Sequence, residues 1–251
     1  MTSPLVEGSG AFTLEGGPRG VLMIHGFSAN PYGLHPFAEA LHTRGFTVHV
    51  PLLSGHGTSW EDLERARWTD WERQMGAALS TLRDRTEAIG VVGLSFGGAL
   101  ALHLAAHHPR DVRAVVVVNP YVMDRRILSA PVVRFVRRTV KGVVDDISEP
   151  GPTERGYERI PVRALAQVAR FQSRVRAALP RVRQPILAFD SGQDHVIPKG
   201  NAGLVLRRVG SRDKELVSLS RSYHVAWLDT EAEQLFERTA AFLEANVRPP
   251  R

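Results

Sequence analysis

The sequence predicts an α/β protein with one mainly parallel central sheet and helices on both faces. Three observations carry that prediction. Short apolar runs of strand length alternate with longer segments of helical period. The runs are nearly continuous, as in "AVVVV" at 114–118, which fits central strands buried on both sides. At 251 residues the chain can bury a substantial core within one such domain.

The elements follow in order. "GVLMIHG" (20–26) is a strand that ends at glycine, and "PYGLHPFAEALHTRG" (31–45) reads as a helix closing at Gly45. "FTVHVP" (46–51) is a strand stopped by Pro51. "WTDWERQMGAALSTLRDR" (68–85) is helical, with Met75, Leu79 and Leu82 on one face. "IGVVG" (89–93) is a strand, "GGALALHLAAHHP" (97–109) a helix closed by Pro109, and "RAVVVVNP" (113–120) a strand.

The alternation then stops. Residues 121–183 carry no clear strand pattern. "APVVRFVRRTVKGVV" (130–144) and "VRALAQVARFQSRVRAAL" (162–179) read as amphipathic helices around a loop at 145–161 rich in Pro, Gly and acids. The pattern resumes with a strand at 185–192, a helix at 199–209, a strand at 214–219 and a helix at 230–247 with Thr230 as its N-cap. The expected organisation is a sheet core from 1–120 and 184–251. Residues 121–183 form a small helical cap insertion over the carboxyl ends of the strands, where ligands bind in parallel sheets.

Composition narrows the function. There is no cysteine, which excludes a disulfide framework, a thiolate metal site and a cysteine nucleophile. The N-terminus lacks the basic and apolar regions of a secretory signal, and no apolar run reaches bilayer length, so a cytoplasmic location is expected. The net charge of +6 is local: residues 121–183 hold thirteen Arg and one Lys against six acids. Such a segment can meet an anionic lipid surface or an acidic substrate, or be only a solvated helix face. No nucleic-acid-binding motif accompanies it, so no nucleic-acid partner is expected. Weak membrane contact through the cap is expected, with Arg137 and Arg138 as the positions to test.

Gly93-Leu94-Ser95-Phe96-Gly97 has the form G-x-S-x-G between a predicted strand and a predicted helix. Serine in a strained strand-to-helix turn needs neighbours without side chains, and the helix after it favours developing negative charge. Serine also needs a base. Of ten histidines, His224 lies between the last strand and last helix, in a loop at the same sheet edge as Ser95. His103, His107 and His108 sit on or just after the helix that follows Ser95, His42 and His49 lie in early elements, and His25 reads as structural.

An imidazole base needs a carboxylate to fix its tautomer. Asp194 lies far enough out in its loop to reach His224; Asp190 and Asp124 remain alternatives, and His195 reads as a loop residue. An oxyanion needs two N–H donors. Phe96, after the nucleophile, and Phe27, in "HGFSANP", are the candidates.

Together "HGFSANP", "PLLSGHG", "WTDWERQM", "GLSFGG", "GQDHVIP" and "SYHVAWLD" resemble the α/β-hydrolase superfamily, and within it small bacterial carboxylesterases and monoacylglycerol lipases. The resemblance implies a catalytic Ser95, Asp194 and His224, oxyanion donors at Phe27 and Phe96, and a short helical cap over an apolar acyl pocket. It departs at Ser222-Tyr223-His224, where the family has glycine before histidine, and in the Arg content of the cap. The expectation is a serine esterase for short-to-medium acyl esters, requiring no metal or cofactor, as a monomer or homodimer. A thioesterase, amidase, carbon–carbon hydrolase or cofactor-free perhydrolase would keep the same triad. A non-catalytic binder is the reading from another class, and the complete set of parts stands against it.

Overall fold

The computed structural model describes residues 3–149, 151 and 153–249. Pro150 and Pro152 of the expected loop lie outside the described residues. The chain opens with β1 (Phe12–Leu14) and β2 (Arg19–Ile24). A 3-10 turn over Pro31–Leu34 leads into α1 (His35–Thr43), and β3 (Phe46–Val50) follows. Next come α2 (Trp60–Arg65), α3 (Trp68–Arg83), β4 (Ala88–Leu94), α4 (Phe96–His107) and β5 (Val112–Val118). Residues 121–183 contribute α5 (Ala130–Val133), β6 (Thr139–Lys141), β7 (Arg159–Pro161) and α6 (Val162–Ala178). Then follow β8 (Ile186–Ser191), α7 (Asn201–Arg208), β9 (Lys214–Leu219) and α8 (Ala232–Asn246).

Seven strands form one sheet in the order β1-β3-β2-β4-β5-β8-β9. Every pairing is parallel except β1 with β3. Each face has its own core, because alternate residues of a strand point to opposite sides. Leu22, Val91 and Val115 pack with α3, α4 and α6; Val21, Val92 and Val116 pack with α1 and α8. Burial on both faces explains why the strands read as unbroken apolar runs. The register pairs Ile24 with Gly93, Leu94 with Val118 and Val118 with Phe189. The strand ends are therefore level, and the loops after β2, β4, β5, β8 and β9 leave from one edge.

The structure corrects four local expectations. The helix expected over 31–45 is broken, because Pro36 has no N–H to continue a ladder from Pro31. The helix expected over 130–144 ends at Val133, and 139–141 is a strand paired antiparallel with 159–161. The β-branched pair Thr139 and Val140 favours extended backbone over helix. Residues 121–183 therefore contain strands as well as helices. Thr230 is not a cap: α8 begins at Ala232 with Glu231 before it, and the Glu231 side chain turns back to the loop at 220–222. β1 and α2 were not predicted, being only three and six residues long.

Beneath the turn between β4 and α4 lies an aromatic cluster. Trp71 is fully buried, meets Phe96 edge-on at 5.1 Å and donates its indole N–H to the Ser54 carbonyl at 3.0 Å. Replacing Trp71 by Ala is expected to cost about 3–5 kcal/mol, read as a fall in unfolding free energy by urea titration. A loss below about 1 kcal/mol would contradict this packing role.

Candidate active site

β4 ends at Leu94 and α4 begins at Phe96, so Ser95 alone makes the turn. Its φ of 54° and ψ of −116° lie in a region that costs a non-glycine residue about 1–3 kcal/mol. The flanking glycines make the turn possible. A Cβ on Gly93 would lie 2.3 Å from the Gly97 carbonyl oxygen, and one on Gly97 would lie 2.1 Å from that of Ile24. The Ser95 N–H donates to Val118, and its carbonyl accepts from Gly98 and Tyr121, at 2.8, 3.0 and 2.9 Å. The side chain faces a cavity of about 310 Å³.

Phe96 is the first residue of α4, so its N–H has no partner within the helix. The segment after β2 passes beside the serine: a Cβ on Gly26 would lie 3.5 Å from the Ser95 Cβ. The N–H of Phe27, the next residue, makes no backbone hydrogen bond among the described residues. His25 anchors this segment. It accepts the Leu53 N–H at Nε2 (3.1 Å) and donates from Nδ1 to Gly26 (2.9 Å). Burial, reinforced by His56 nearby, pushes its pKa down to about 3, so the ring stays neutral. The Phe96 ring is fully buried against Phe27, Trp71 and Phe171 and is not part of the cavity wall.

His224 also lines the cavity. Its Nδ1 donates to Asp194 Oδ2 at 2.6 Å. The other Asp194 oxygen accepts the N–H groups of Val196 and Ile197 at 2.8 and 2.9 Å. Burial pushes this carboxyl up, but the His224 hydrogen bond, the imidazole charge and the two amides outweigh it and hold Asp194 below its ordinary value. The alternative acids do not pair with His224: Asp124 lines the same cavity but is engaged by other partners. Asp124 accepts from Tyr121 and Arg126 at 2.8 Å each. Asp190 is pushed up, first by burial and then by the neighbouring Asp194 charge. The Tyr223 ring packs edge-on against His195 at 4.6 Å and does not line the cavity.

Carboxylates brace the His224 loop. Glu231 accepts N–H groups from Ser220, Arg221 and Ser222 and the Ser222 hydroxyl, and Asp229 accepts the Tyr223 N–H. Asn119, at the end of β5, donates to the His224 carbonyl at 2.8 Å and to Ser191 Oγ at 2.9 Å. The sequence reading missed Asn119, Glu231, Asp146 and Glu154. Only Asn119 had a signal, as a polar residue tolerant of positive φ at the end of an all-valine run; its φ is 45°.

This sheet, a serine on a strained strand-to-helix turn and an Asp–His pair in the loops beyond it define an α/β-hydrolase. The chain belongs to the hydrolase family described as serine aminopeptidase, S33, whose sequence model matches residues 18–231. It is 39% identical over 241 residues to the thermostable monoacylglycerol lipase of Bacillus sp. (strain H-257), covering 95% of this chain and 96% of that one. It is 26% identical to the carboxylesterase of Bacillus subtilis (strain 168), covering 93% and 95% of the two chains. A solved structure from work on the metagenome-derived lipolytic enzymes LipS and LipT superposes with a TM-score of 0.93 at 31% identity, covering 97% of this chain and 100% of the other. The protein is thus an enzyme, a serine hydrolase of the carboxylesterase and monoacylglycerol lipase-like kind.

The strain at Ser95 has a measurable consequence. Ser95→Gly is expected to raise unfolding free energy by about 1 kcal/mol, glycine tolerating this backbone at little cost. An unfolding midpoint in urea at or below that of the native protein would contradict the strain.

Proposed function

We propose that the protein is a carboxylic-ester hydrolase acting through an acyl-enzyme on Ser95, with short-to-medium acyl esters, monoacylglycerols among them, as substrates. The observation that carries this reading is that Ser95 and the Asp194-bonded His224 line one cavity. In the proposed reaction His224 Nε2 takes the Ser95 hydroxyl proton as Oγ attacks the ester carbonyl. Asp194 fixes the imidazole tautomer and stabilises the imidazolium. The N–H groups of Phe27 and Phe96 hold the oxyanion. His224 returns the proton to the departing alcohol, and water attacks the acyl-enzyme with the same histidine as base. The chemistry requires no metal or cofactor.

The substrate class rests on the cavity walls. Residues 121–183 act as the cap in this reading and supply most of the apolar lining, including Ile127, Val140, Val143, Ile160 and Leu165. About 310 Å³ suits one acyl chain with a small alcohol. Glu154, also on the wall, is the polar group available to a glyceryl hydroxyl. Burial pushes its carboxyl up to about 7, against a smaller opposing pull from His224.

Ser95→Ala is expected to lower kcat on p-nitrophenyl butyrate by about 10⁴–10⁶-fold, and Asp194→Asn by about 10²–10⁴-fold. Equal hydrolysis by wild type and Ser95→Ala would end this reading. A panel of monoacylglycerols and p-nitrophenyl esters of rising chain length then sets the acyl preference.

The cap also fits an anionic lipid surface. Val132, Phe135 and Val136 are 74%, 77% and 88% exposed. Beside them runs a groove lined by Arg67, Arg134, Arg163 and Arg170, none of which forms a salt bridge among the described residues. Apolar side chains ringed by arginine match acyl chains beneath acidic headgroups, at about 1 kcal/mol per cation near the surface. Arg138, by contrast, is held by Glu64 at 3.0 Å. Flotation with phosphatidylglycerol-containing vesicles is expected to fall in F135S and in R163Q/R170Q, with weak binding to phosphatidylcholine alone. Unchanged flotation in both variants would discard this contact.

A further inference from the structure

The inserted segment reaches the chemistry through one buried side chain. Asp146 follows β6, and its carboxylate is about one-tenth exposed. One oxygen accepts two backbone N–H groups, from His195 and from His224, each at 3.1 Å. The other accepts from the His195 ring at 2.9 Å. The Asp146 carbonyl accepts the Val225 N–H at 3.0 Å. A single residue outside the sheet core thus grips His224 on both sides of its Cα. It also grips the residue directly after Asp194.

Those two loops leave different strands, β8 and β9, and the Asp194–His224 hydrogen bond spans the gap between them. A bond of 2.6 Å tolerates little change in loop separation. Asp194 is held within its own loop by Val196 and Ile197, and the 220–223 segment is held by Glu231 and Asp229. Neither set joins one loop to the other. Gln193 Nε2 joins the loops farther out, donating to the Ser220 carbonyl at 3.0 Å, and Asn119 holds Ser191 and the His224 carbonyl. Asp146 joins them at His195 and His224 themselves, with a charge-assisted acceptor, the stronger kind of hydrogen bond. The same stretch of the insert also reaches the loop carrying Phe27: Tyr157 donates its N–H to the Ser28 carbonyl at 3.1 Å, and Asn30 Nδ2 donates to the carbonyl of Arg155 at 3.0 Å.

We infer that Asp146 is a positioning residue that sets the spacing of the acid and histidine loops and thereby couples the cap to the triad. This rests on the triad reading above. The carboxylate does not touch the reacting atoms; it acts through the backbone of His224 and His195. Its loss acts on kcat, because a misplaced base slows proton transfer while the acyl-binding walls persist.

The test compares D146A and D146N with wild type on a soluble p-nitrophenyl ester, with Ser95→Ala as control. D146A is expected to lower kcat by about 10–100-fold with KM within about threefold. D146N keeps one oxygen for the backbone N–H groups and is expected to recover most of that loss. The far-downfield proton resonance of the His224–Asp194 bond is expected in wild type, broadened or absent in D146A and shifted in D146N. A general loss of stability would not produce that split, recovery and resonance change together. Wild-type kcat in folded D146A, with the resonance intact, overturns the inference while Ser95→Ala stays inactive. Should D146A not fold, D146N decides: wild-type kcat and an unshifted resonance overturn it. Activity retained in Ser95→Ala removes the triad reading and this role together.

Discussion

The closest approach around the site is the one that organises it. The first turn of α4 lies so near the end of β2 that a Cβ on Gly97 would fall 2.1 Å from the Ile24 carbonyl oxygen. β2 and β4 are neighbours in register at Ile24 and Gly93. Pressing α4 down at this point leaves one residue, Ser95, to reverse the chain. The same contact brings the segment after β2 against the serine. Backbone strain and adjacent N–H donors are thus two results of one steric constraint. The strain of the turn is borne by β4, whose residues are all buried, and by the aromatic cluster under Phe96.

The other half of the site is held by charge. The loops after β8 and β9 have little regular structure, and their backbone N–H groups point at carboxylates. At Asp229 and Glu231 burial pushes the carboxyl up, but the Ser148 contact in the first case, the Ser222 contact in the second and several backbone amides outweigh it. A carboxyl held low when folded stabilises the fold above its unfolded value. That contribution is lost as pH falls through the folded value. Acid therefore loosens the histidine loop first, before the apolar sheet beneath it. In the proposed reaction the chemistry thus stands on two supports of different kind, steric for Ser95 and electrostatic for His224.

This division explains what could be read from the sequence. The sheet was legible because burial on both faces leaves continuous apolar runs, and Gly93, Ser95 and Gly97 were legible because the constraint admits only glycine beside the serine. Asp194 and His224 could be placed by loop position, and the structure brings them within 2.6 Å. The braces were not legible. Asp146 and Glu231 act on backbone atoms distant in sequence, and nothing local separates such a carboxylate from a solvated one. The error over 130–144 has a similar cause. Val132 and Val136 face outward while Val140 faces the cavity, so the valines follow no single core period.

Charge counting hid one more feature of residues 121–183. Their excess of arginine is an average over two faces of different character. Arg134, Arg163 and Arg170 line an outer groove, whereas the inner cavity mixes Asp124, Asp146 and Glu154 with Arg126 and Lys141. Arg126 neutralises Asp124, leaving Asp146 and Glu154 as the acids of the insert nearest His224. In the proposed reaction a neutral ester enters and a carboxylate forms beside these groups. Glu154, its carboxyl pushed up by burial to about 7, can meet that carboxylate as a hydrogen-bond donor, and Lys141 on the same wall can pair with it. In this reading both faces of residues 121–183 offer groups to an anion, arginines outside and Lys141 with a protonatable Glu154 within.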